Sequence, residues 1–362
     1  MKAYVVERDA LTYNIQVLKE HAGAAVIWAV LKGNGYGIGI VPFSRILREA
    51  GIDHFAVTEL KEAETLRESW PEAKILMMRS TADPAEINAL LDLDVILTVG
   101  CYETAVAING IAAERAAKAE VHLAVDTGMG RYGFLPEDGD KLLSVFEYMK
   151  SLKVSGMFTH FHSAPSNEKA TKRQFELFQS VVKRVRDAGF DPGMLHCCNS
   201  HAFVRHPGMH LNAVRIGSAF LGRLTCKNKL NLRRVGWAEC TLEEIRWIPK
   251  GHTVGYEAGF KAGRPTRIAV ISLGWYNGLA SSRRNDLYRF RDSLAGILHH
   301  LKDMVLRPKV LVTVNSHKCR VLGHVGMVNA VVDVTDVDCA VGDKVVAQVN
   351  PLTVKGLKVQ YR

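Results

Sequence analysis

Between residues 26 and 216, eight short apolar runs alternate with longer segments whose apolar residues recur at helical spacing. The runs have the length of strands, and the segments between them have the length of helices. Eight such alternations predict a parallel barrel closed on itself, with a helix after each strand, rather than an open doubly wound sheet. The predicted strands are 26–31, 54–57, 74–78, 95–98, 121–126, 154–158, 194–198 and 213–216.

The chain changes character after Cys226, where glycine-punctuated, β-branched runs replace the alternation. Such runs predict a second domain made mostly of antiparallel strands. Apolar residues at helical spacing predict one amphipathic helix inserted in that domain, at 286–305. We therefore expect a (β/α)8 barrel over 1–228 and a C-terminal β domain over 229–362.

Composition restricts the classes of function. The 362 residues are 48% hydrophobic and 23% charged, as in ordinary globular proteins. No apolar run has the length of a membrane span, and the first residues lack the apolar block of a signal peptide, so we expect a cytoplasmic protein that does not enter a membrane. A net charge of +10, spread along the chain without interleaved aromatic residues, favours small anionic ligands over nucleic acid. Seven scattered cysteines indicate free thiols rather than a metal site or a disulfide framework.

Lys32 directly follows the first predicted strand and precedes a glycine-broken turn that carries Tyr36. Burying an unpaired ammonium group is costly, so a lysine at this place indicates chemistry such as Schiff-base formation. The alternative is a lysine whose stem lies along the strand end while its amine reaches water.

Other polar residues follow the later strands, and in a barrel these strand ends meet at one face. Serine hydroxyls and glycine amides after the seventh and eighth strands suit a phosphate group. A Schiff-base lysine combined with a phosphate site indicates pyridoxal phosphate rather than the cofactor-free chemistry of an aldolase. The polar residues concerned are Arg131, His160, Asn199, Ser200, Arg215, Gly217 and Ser218.

Five motifs occur in a characteristic order. They are Ala-Val-Leu-Lys-Gly-Asn-Gly-Tyr-Gly (29–37), Asp-Thr-Gly-Met-Gly-Arg (126–131), Thr-His-Phe (159–161), His-x-x-Asn-Ser (196–200) and Arg-x-Gly-x-x-x-x-Gly (215–222). With these motifs the chain resembles the alanine racemase family, whose members bind pyridoxal phosphate in a barrel followed by a β domain. The resemblance covers nearly the whole chain.

The resemblance implies a role for each site residue. Lys32 would bind the cofactor and act as one base, and Tyr256 would be the second base, reaching the site from the other subunit of a homodimer. Arg215 would face the pyridine nitrogen of the cofactor, and Arg131 and Met327 would contact the amino-acid substrate. The remaining cofactor-binding residues would be Tyr36, His160, Asn199, Ser200, Gly217 and Ser218, with Tyr36, Ser200, Gly217 and Ser218 at the phosphate and His160 beside the catalytic tyrosine. A tyrosine base needs such neighbours, because tyrosine has an ordinary pKa of about 10.

Two positions depart from the family, and the second of them leaves the preferred amino acid open between alanine and another small neutral amino acid. Ala124 stands where many relatives carry a lysine that helps to place the arginine of the glycine-rich loop. Val328, in Gly-Met-Val-Asn (326–329), stands where the family usually has an entry-channel carboxylate. The late tyrosine that contacts the phosphate in the family has no clear match.

Two alternatives share the architecture or the cofactor. The first is a pyridoxal-phosphate-dependent amino-acid decarboxylase, but such enzymes usually place a carboxylate, not an arginine such as Arg215, against the pyridine nitrogen. The second is a non-catalytic protein that only binds pyridoxal phosphate, but single barrels of that kind lack the β domain and Tyr256.

Overall fold

The computed structural model describes residues 2–281, 293–294, 296–298, 301–302 and 310–362. It divides the chain into a barrel unit, Arg8–Val235, and a β unit, which combines Met1–Glu7 with Gly236–Arg362. The boundary lies close to the predicted one, but the first seven residues differ from the prediction. They include strand β1 (Ala3–Val6) and belong to the β unit rather than to the barrel.

The barrel unit confirms the predicted closed barrel. Eight parallel strands are hydrogen-bonded in sequence order, and the last pairs with the first, so that Val26 lies opposite Ala213. All eight predicted strands are present, with small shifts of their ends. They are β2 (Val26–Val30), β3 (His54–Val57), β4 (Lys74–Ser80), β5 (Ile96–Val99), β6 (Ala119–Ala124), β7 (Leu152–Phe158), β8 (Met194–His196) and β9 (Ala213–Ile216).

Helices follow these strands around the barrel, as the periodicity predicts. Several start at a side chain that caps the helix; for example, Asp83 accepts a hydrogen bond from the Ala85 amide and Asn167 accepts one from the Ala170 amide. The helices of this unit are α1 (Arg8–Ala22), α2 (Ile40–Glu49), α3 (Leu60–Ser69), α4 (Pro84–Asp92), α5 (Tyr102–Glu114), α6 (Gly139–Tyr148), α7 (Glu168–Asp187) and α8 (Ser200–Arg205).

The β unit is a mostly antiparallel sheet, as predicted. Its long strand β10 (Trp237–Ile248) pairs with β17 (Lys344–Ala347) through its first part and with β13 (Thr266–Ile271) through its second part, so the sheet folds back on itself. A separate pair, β11 and β12, forms a short antiparallel ribbon. The strands are β10 (Trp237–Ile248), β11 (Thr253–Val254), β12 (Phe260–Lys261), β13 (Thr266–Ile271), β14 (Leu311–Val314), β15 (His317–Leu322), β16 (Ala330–Asp333), β17 (Lys344–Ala347) and β18 (Lys358–Tyr361).

Strand β1 joins this sheet because all four of its residues, Ala-Tyr-Val-Val, are buried. A strand that is apolar on both faces needs a central place in a sheet. In the structure β1 runs antiparallel to β10 and parallel to β18, and these partners lie far away along the chain. The assignment of residues 1–7 to the barrel is therefore corrected.

Most of the predicted helix 286–305 lies outside the described residues. The residues of it that are described have helical backbone, and four apolar ones among them are exposed: Leu294, Ile297, Leu298 and Leu301. Among the described residues, no helix combines the length and the apolarity that crossing a membrane requires. All seven cysteines are free thiols, and five of them are buried.

Glu239 joins three strands of the β unit. Its carboxylate accepts hydrogen bonds from Trp237 Nε1 at 2.9 Å and from Arg362 Nη1 at 2.7 Å, and Lys344 Nζ lies 3.6 Å away. Burial acts to raise the pKa of Glu239, but these hydrogen bonds and the charges of Lys344 and Arg362 outweigh it, so the pKa lies below its ordinary value. The ionised carboxylate is therefore the form that stabilises the fold.

We predict that Glu239→Gln lowers the free energy of unfolding by about 1–3 kcal/mol at neutral pH. Because the pKa of Glu239 is depressed in the folded state, its contribution is present above the ordinary carboxyl pKa and is lost as the pH falls through the folded-state value. The loss caused by the substitution should therefore shrink in acid, which urea unfolding at several pH values measures. As a control, Glu244→Gln removes an exposed partner of Arg246 and should change little. An equal loss for Glu239→Gln at all pH values would contradict this account.

Candidate active site

Lys32 is followed by a turn with an unusual backbone. Gly33, Asn34, Gly35 and Tyr36 have φ angles of 64°, 53°, 62° and 56°, all in the left-handed region. Glycine adopts this conformation at no steric cost and asparagine at little cost, so Tyr36 is the strained residue of the turn. The alternation of glycine and asparagine after Lys32 is what allows β2 to end there and the chain to reverse so tightly.

The amine of Lys32 is the predicted nucleophile of the site. Lys32 is exposed in the isolated chain. Its amine makes no hydrogen bond or ion pair with any described residue. Desolvation by the atoms around the amine and then the nearby charge of Arg131 lower the pKa of Lys32, while Glu62 acts in the opposite direction. A lysine with a lowered pKa has a larger neutral fraction, which is the form that attacks a carbonyl group.

A cavity of about 180 Å³ opens beside Lys32 at the C-terminal face of the barrel. All of the residues predicted to bind the cofactor line it, although they come from four different strand ends. They are Lys32 and Tyr36 after β2, His160 after β7, Asn199 and Ser200 after β8, and Arg215, Gly217 and Ser218 at and after β9. The barrel thus brings together what the sequence places far apart.

One end of this cavity is lined by hydroxyl groups and backbone amides. Ser200 Oγ accepts a hydrogen bond from the Gly217 amide at 3.0 Å. Burial raises the pKa of Tyr36 to about 12, although its hydroxyl oxygen accepts a hydrogen bond from the Ser218 amide. A Cβ atom on Gly217 would lie only 2.2 Å from Tyr36 Oη, so residue 217 has to be glycine for Tyr36 to reach this place. Asn199 caps α8 through its side-chain oxygen, which accepts the amides of His201 and Ala202.

Arg215 forms the floor of the cavity. Its side chain is 2% exposed and donates to backbone oxygens, including Thr159 O at 2.7 Å and His196 O at 3.1 Å. Burial lowers the pKa of Arg215 to about 10, so it remains a cation at neutral pH. Its Nε is buried and has no hydrogen-bond acceptor among the described residues. A buried donor without a partner is costly, which points to a ligand atom at this position.

Two histidines inside the barrel extend this network. Sequence reasoning gave neither of them a role, although His196 begins the motif at 196–200. Arg215 Nη1 donates to His196 Nδ1 at 2.6 Å, which leaves the proton of neutral His196 on Nε2. His196 Nε2 therefore donates to His122 Nδ1, 2.9 Å away. Burial, then the charge of Arg215, lowers the pKa of His122 to about 3 and that of His196 well below its ordinary value. An isolated histidine within each apolar strand was the signal that could have found them.

His160 lies over Arg215, whose Nη2 is 3.4 Å from His160 Nδ1. Burial, and then the charges of Arg215, Arg131 and Lys32, lower the pKa of His160 to about 3. The ring is therefore neutral at physiological pH. Because Nδ1 faces the arginine donor, the proton of the ring belongs on Nε2.

Tyr256 and Met327 belong to the β unit and lie on neighbouring loops there. Tyr256 is 74% exposed and Met327 52% exposed. The turn Tyr256–Ala258 packs against the loop of Met327, since a Cβ atom on Gly255 would lie 3.2 Å from the His324 amide. The hydroxyl of Tyr256 makes no hydrogen bond with any described residue. Its exposure leaves this tyrosine accessible at the surface of the β unit.

Two family models match the chain, one described as the N-terminal domain of alanine racemase over residues 6–224 and the other as its C-terminal domain over residues 237–356. The chain belongs to the alanine racemase family. It is similar to the alanine racemase of Desulforamulus reducens, with 34% identity over 280 residues that cover 75% of this chain and 75% of that protein. Alanine racemase 1 of Oceanobacillus iheyensis is 30% identical over 340 residues, which cover 92% of this chain and 84% of that protein.

Solved structures of this family have the same fold. The alanine racemase of Clostridium difficile 630 matches with a TM-score of 0.86 at 23% identity, covering 100% of this chain and 95% of that one. An alanine racemase from Streptomyces lavendulae, a producer of D-cycloserine, matches with a TM-score of 0.84 at 22% identity, covering 100% and 97%.

The loop of Arg131 is built without the lysine that many alanine racemases have at the position of Ala124. The Asp126 carboxylate accepts the amides of Gly128 and Gly130, and the Phe134 amide donates to Ala124 O at 2.9 Å. The loop is therefore held within by the Asp126 side chain, and its two ends are joined by a backbone hydrogen bond. The guanidinium of Arg131 makes no hydrogen bond or ion pair with any described residue, and its Cζ lies 5.6 Å from the ring centre of Tyr132.

Proposed function

We propose that this chain is a pyridoxal-phosphate-dependent amino-acid racemase that interconverts the L and D forms of alanine or of another small neutral amino acid. The observation that carries the proposal is the cavity that brings together Lys32, the contact between Tyr36 and Gly217, and the Nε of Arg215, which has no acceptor among the described residues. Membership of the alanine racemase family supports the same conclusion.

Pyridoxal phosphate fits the residues of this cavity. Tyr36, Ser200, Gly217 and Ser218 offer hydroxyl groups and amides to a phosphate, and Arg215 offers a cation to the ring. When bound, pyridoxal phosphate supplies an aldehyde that reacts with amines and a conjugated ring that stabilises negative charge at the Cα atom of the substrate. The amine of Lys32 would hold the cofactor covalently until a substrate amine displaces it.

Arg215 favours the racemase over the decarboxylase of the same fold. A guanidinium has only donors and stays charged, so it cannot accept a proton from the cofactor ring or deliver one to it. Arg215 beside the cofactor ring would therefore favour weaker electron withdrawal from the substrate than a carboxylate that keeps the ring nitrogen protonated. Weaker withdrawal suits simple removal and return of a proton at Cα, with few side reactions.

Racemisation needs a base on each side of Cα, and we assign these roles to Lys32 and Tyr256. The lowered pKa of Lys32 increases the fraction of neutral amine that can take a proton. On the opposite side, His160 Nε2–H and the charge of Arg215 would stabilise the deprotonated oxygen of a tyrosine. Arg131, whose guanidinium has no partner among the described residues, would hold the carboxylate of the substrate.

We further propose that the protein is a homodimer in which the partner subunit's Tyr256 and Met327 complete the site. The support is an exposed apolar surface on the β unit, formed by Tyr256, Trp275, Met327 and Val328, which are 47–74% exposed. The loops that carry it are joined by a hydrogen bond from the Trp275 amide to Gly326 O at 3.0 Å. Exposed aromatic residues and methionine are typical of interfaces between subunits.

We infer a cytoplasmic location as well. Seven free thiols, several of them buried in both units, suit a reducing compartment.

Replacing Gly217 with alanine should remove cofactor binding. The new Cβ atom would lie 2.2 Å from Tyr36 Oη, so the tyrosine must leave the phosphate end of the cavity. We expect the affinity for pyridoxal phosphate to fall by at least ~100-fold, the equivalent of about 2.7 kcal/mol. Equilibrium dialysis against the cofactor measures it. Gly208→Ala, a glycine with open space around it, is the control and should bind as the wild type does. Equal affinities for all three proteins would contradict the proposed site.

Val328 should influence which amino acid is accepted. A hydrophobic residue in place of the usual entry-channel carboxylate favours side chains that are larger or more apolar than that of alanine. We expect Val328→Asp to shift the ratio of kcat/KM values toward alanine by ~3- to 10-fold, since one apolar contact is worth about 1 kcal/mol or more. A profile dominated by alanine and unchanged by the substitution would show that Val328 has no part in selection.

The proposed activity is tested by incubating the protein and pyridoxal phosphate with a panel of L-amino acids. Chiral chromatography detects the D enantiomer, and mass spectrometry detects the amine that a decarboxylase would form. A racemase yields D-alanine or another small D-amino acid without amine. Amine formation would establish the decarboxylase, and cofactor binding without either product would establish the non-catalytic homologue.

A further inference from the structure

Gln174 is a polar residue buried on a helix whose other buried residues are mostly apolar. It lies in α7 with 2% of its surface exposed, among Phe178, Val181 and Val185. Burying an amide is unfavourable unless its oxygen and nitrogen both find partners. The partners of Gln174 therefore explain why this position is not another valine or leucine.

The side chain of Gln174 reaches the loop after β7. Its Oε1 accepts a hydrogen bond from the His162 amide at 3.1 Å, and its Nε2 lies 3.3 Å from His160 O. A backbone amide can only donate and a carbonyl oxygen can only accept, so these two contacts fix the orientation of the amide group. Gln174 thus holds the backbone at His160 itself and at His162, two residues further along the loop.

The same side chain reaches the loop after β6. Gln174 Nε2 donates to Thr127 Oγ1 at 3.2 Å and lies under Gly128, where a Cβ atom would be 3.9 Å away. Thr127 Oγ1 is in turn 2.7 Å from Thr159 Oγ1. Both threonines are buried, so this hydroxyl pair links the two loops a second time. Since Thr127 accepts from Gln174, its own proton is free to bond Thr159.

We propose that Gln174 is a positioning residue that fixes the loop of Arg131 and the loop of His160 as one unit. Neither side chain has a strong tether among the described residues: Arg131 has no hydrogen-bond partner there, and the ring of His160 has only the 3.4 Å contact with Arg215. The role of Gln174 in catalysis rests on the proposed function, in which Arg131 binds the substrate and His160 lies beside the tyrosine base. The mechanical link between the loops does not rest on it.

The test uses Gln174→Met, which keeps the length of the side chain and removes its hydrogen bonds. If that variant does not fold, Gln174→Glu keeps the shape and replaces the donor with an acceptor facing Thr127 and His160 O. Gln179→Met is the matched control, because Gln179 is an exposed glutamine on the same helix. Amide hydrogen exchange of the cofactor-free protein, followed by mass spectrometry, is the primary measurement.

We expect amides in 126–133 and 159–162 to exchange at least ~10-fold faster in Gln174→Met, with those in 199–201 and 215–219 unchanged. In the holoenzyme, kcat/KM should fall ~10- to 100-fold, the range that a misplacement of about 1 Å causes. Cofactor affinity should stay within ~2-fold, because the phosphate-binding residues lie on other loops. The control should match the wild type throughout.

The proposal is overturned if exchange accelerates in only one of the two loops, or equally in all four segments, as it would in general destabilisation. It is also overturned if both loops loosen and kcat/KM does not change. A wild-type protein that racemises nothing would contradict the proposed function instead, and the exchange of the two loops would still decide whether Gln174 joins them.

Discussion

Lys32→Ala should abolish racemisation while the protein remains folded. The substitution removes the amine that would hold the cofactor and one of the two bases, so we expect kcat/KM to fall by at least ~10³-fold, toward the upper end of what a single acid–base group contributes. Folding should be unaffected, because Lys32 makes no hydrogen bond or ion pair with any described residue. Chiral chromatography measures the activity, and thermal unfolding of the cofactor-free protein measures the fold.

Lys169→Ala is the matched control, since Lys169 lies exposed on α7, outside the proposed site. It should retain wild-type activity. The account would be contradicted if Lys32→Ala kept the cofactor bound and racemised at a tenth of the wild-type rate or more. Lys32 would then not be an essential base.

Tyr256→Phe should affect the two directions of the reaction unequally. If Lys32 and Tyr256 act on opposite sides of Cα, the variant loses the base for one enantiomer and keeps the base for the other. We expect proton abstraction from one enantiomer to fall by ~10²- to 10⁴-fold and from the other by much less. Exchange of the Cα hydrogen with D2O, measured separately for each enantiomer, gives the two rates. Tyr148→Phe, at an exposed tyrosine of the barrel unit, is the control. Equal losses for both enantiomers would argue against two bases.

Mixing the two inactive variants tests whether the site is shared between subunits. A dimer of one Lys32→Ala chain and one Tyr256→Phe chain contains one site with Lys32 and the partner subunit's Tyr256 both intact. Subunit exchange should therefore restore up to about a quarter of the wild-type activity, because half of the dimers are mixed and each of these has one intact site. No recovery, with mixed dimers demonstrated by mass spectrometry, would place Tyr256 in the site of its own chain or outside it.

The barrel could be predicted from the sequence because its signals are local. Each strand is a short apolar run, and each helix has its own period and often its own cap, as at Asp83 and Asn167. The order of strands then follows from the rule that parallel strands connected by helices are neighbours. The features of the fold that were predicted wrongly or not at all depend on pairing between strands that are distant in the sequence. Strand β1 has partners at β10 and β18, and four residues carry no information about partners more than two hundred positions away.

The site was predictable to the extent that its residues lie at strand ends. The strand ends meet at one face of the barrel whatever their distance along the chain. The sequence alone could therefore group Lys32, His160, Ser200 and Arg215. His122 and His196 lie deeper in the strands, and their relation to Arg215 depends on which side chains point into the barrel.

The link through Gln174 was not predictable for a similar reason. One glutamine on an amphipathic helix does not reveal which two loops it contacts. Asp126 is an intermediate case: an aspartate two and four residues before glycines suggests a closed loop, yet only the structure shows that its carboxylate accepts both glycine amides.

The most direct test of the account is to follow the reaction in D2O from pure L-alanine and from each other small neutral L-amino acid, with pyridoxal phosphate bound. Chiral chromatography coupled to mass spectrometry then reports both the enantiomer and its deuterium content at early times. A two-base racemase predicts a D-amino acid that carries deuterium at Cα, formed while the recovered L-amino acid still carries mostly hydrogen. The absence of a D enantiomer from every substrate, with the cofactor demonstrably bound through Lys32, would contradict the central claim.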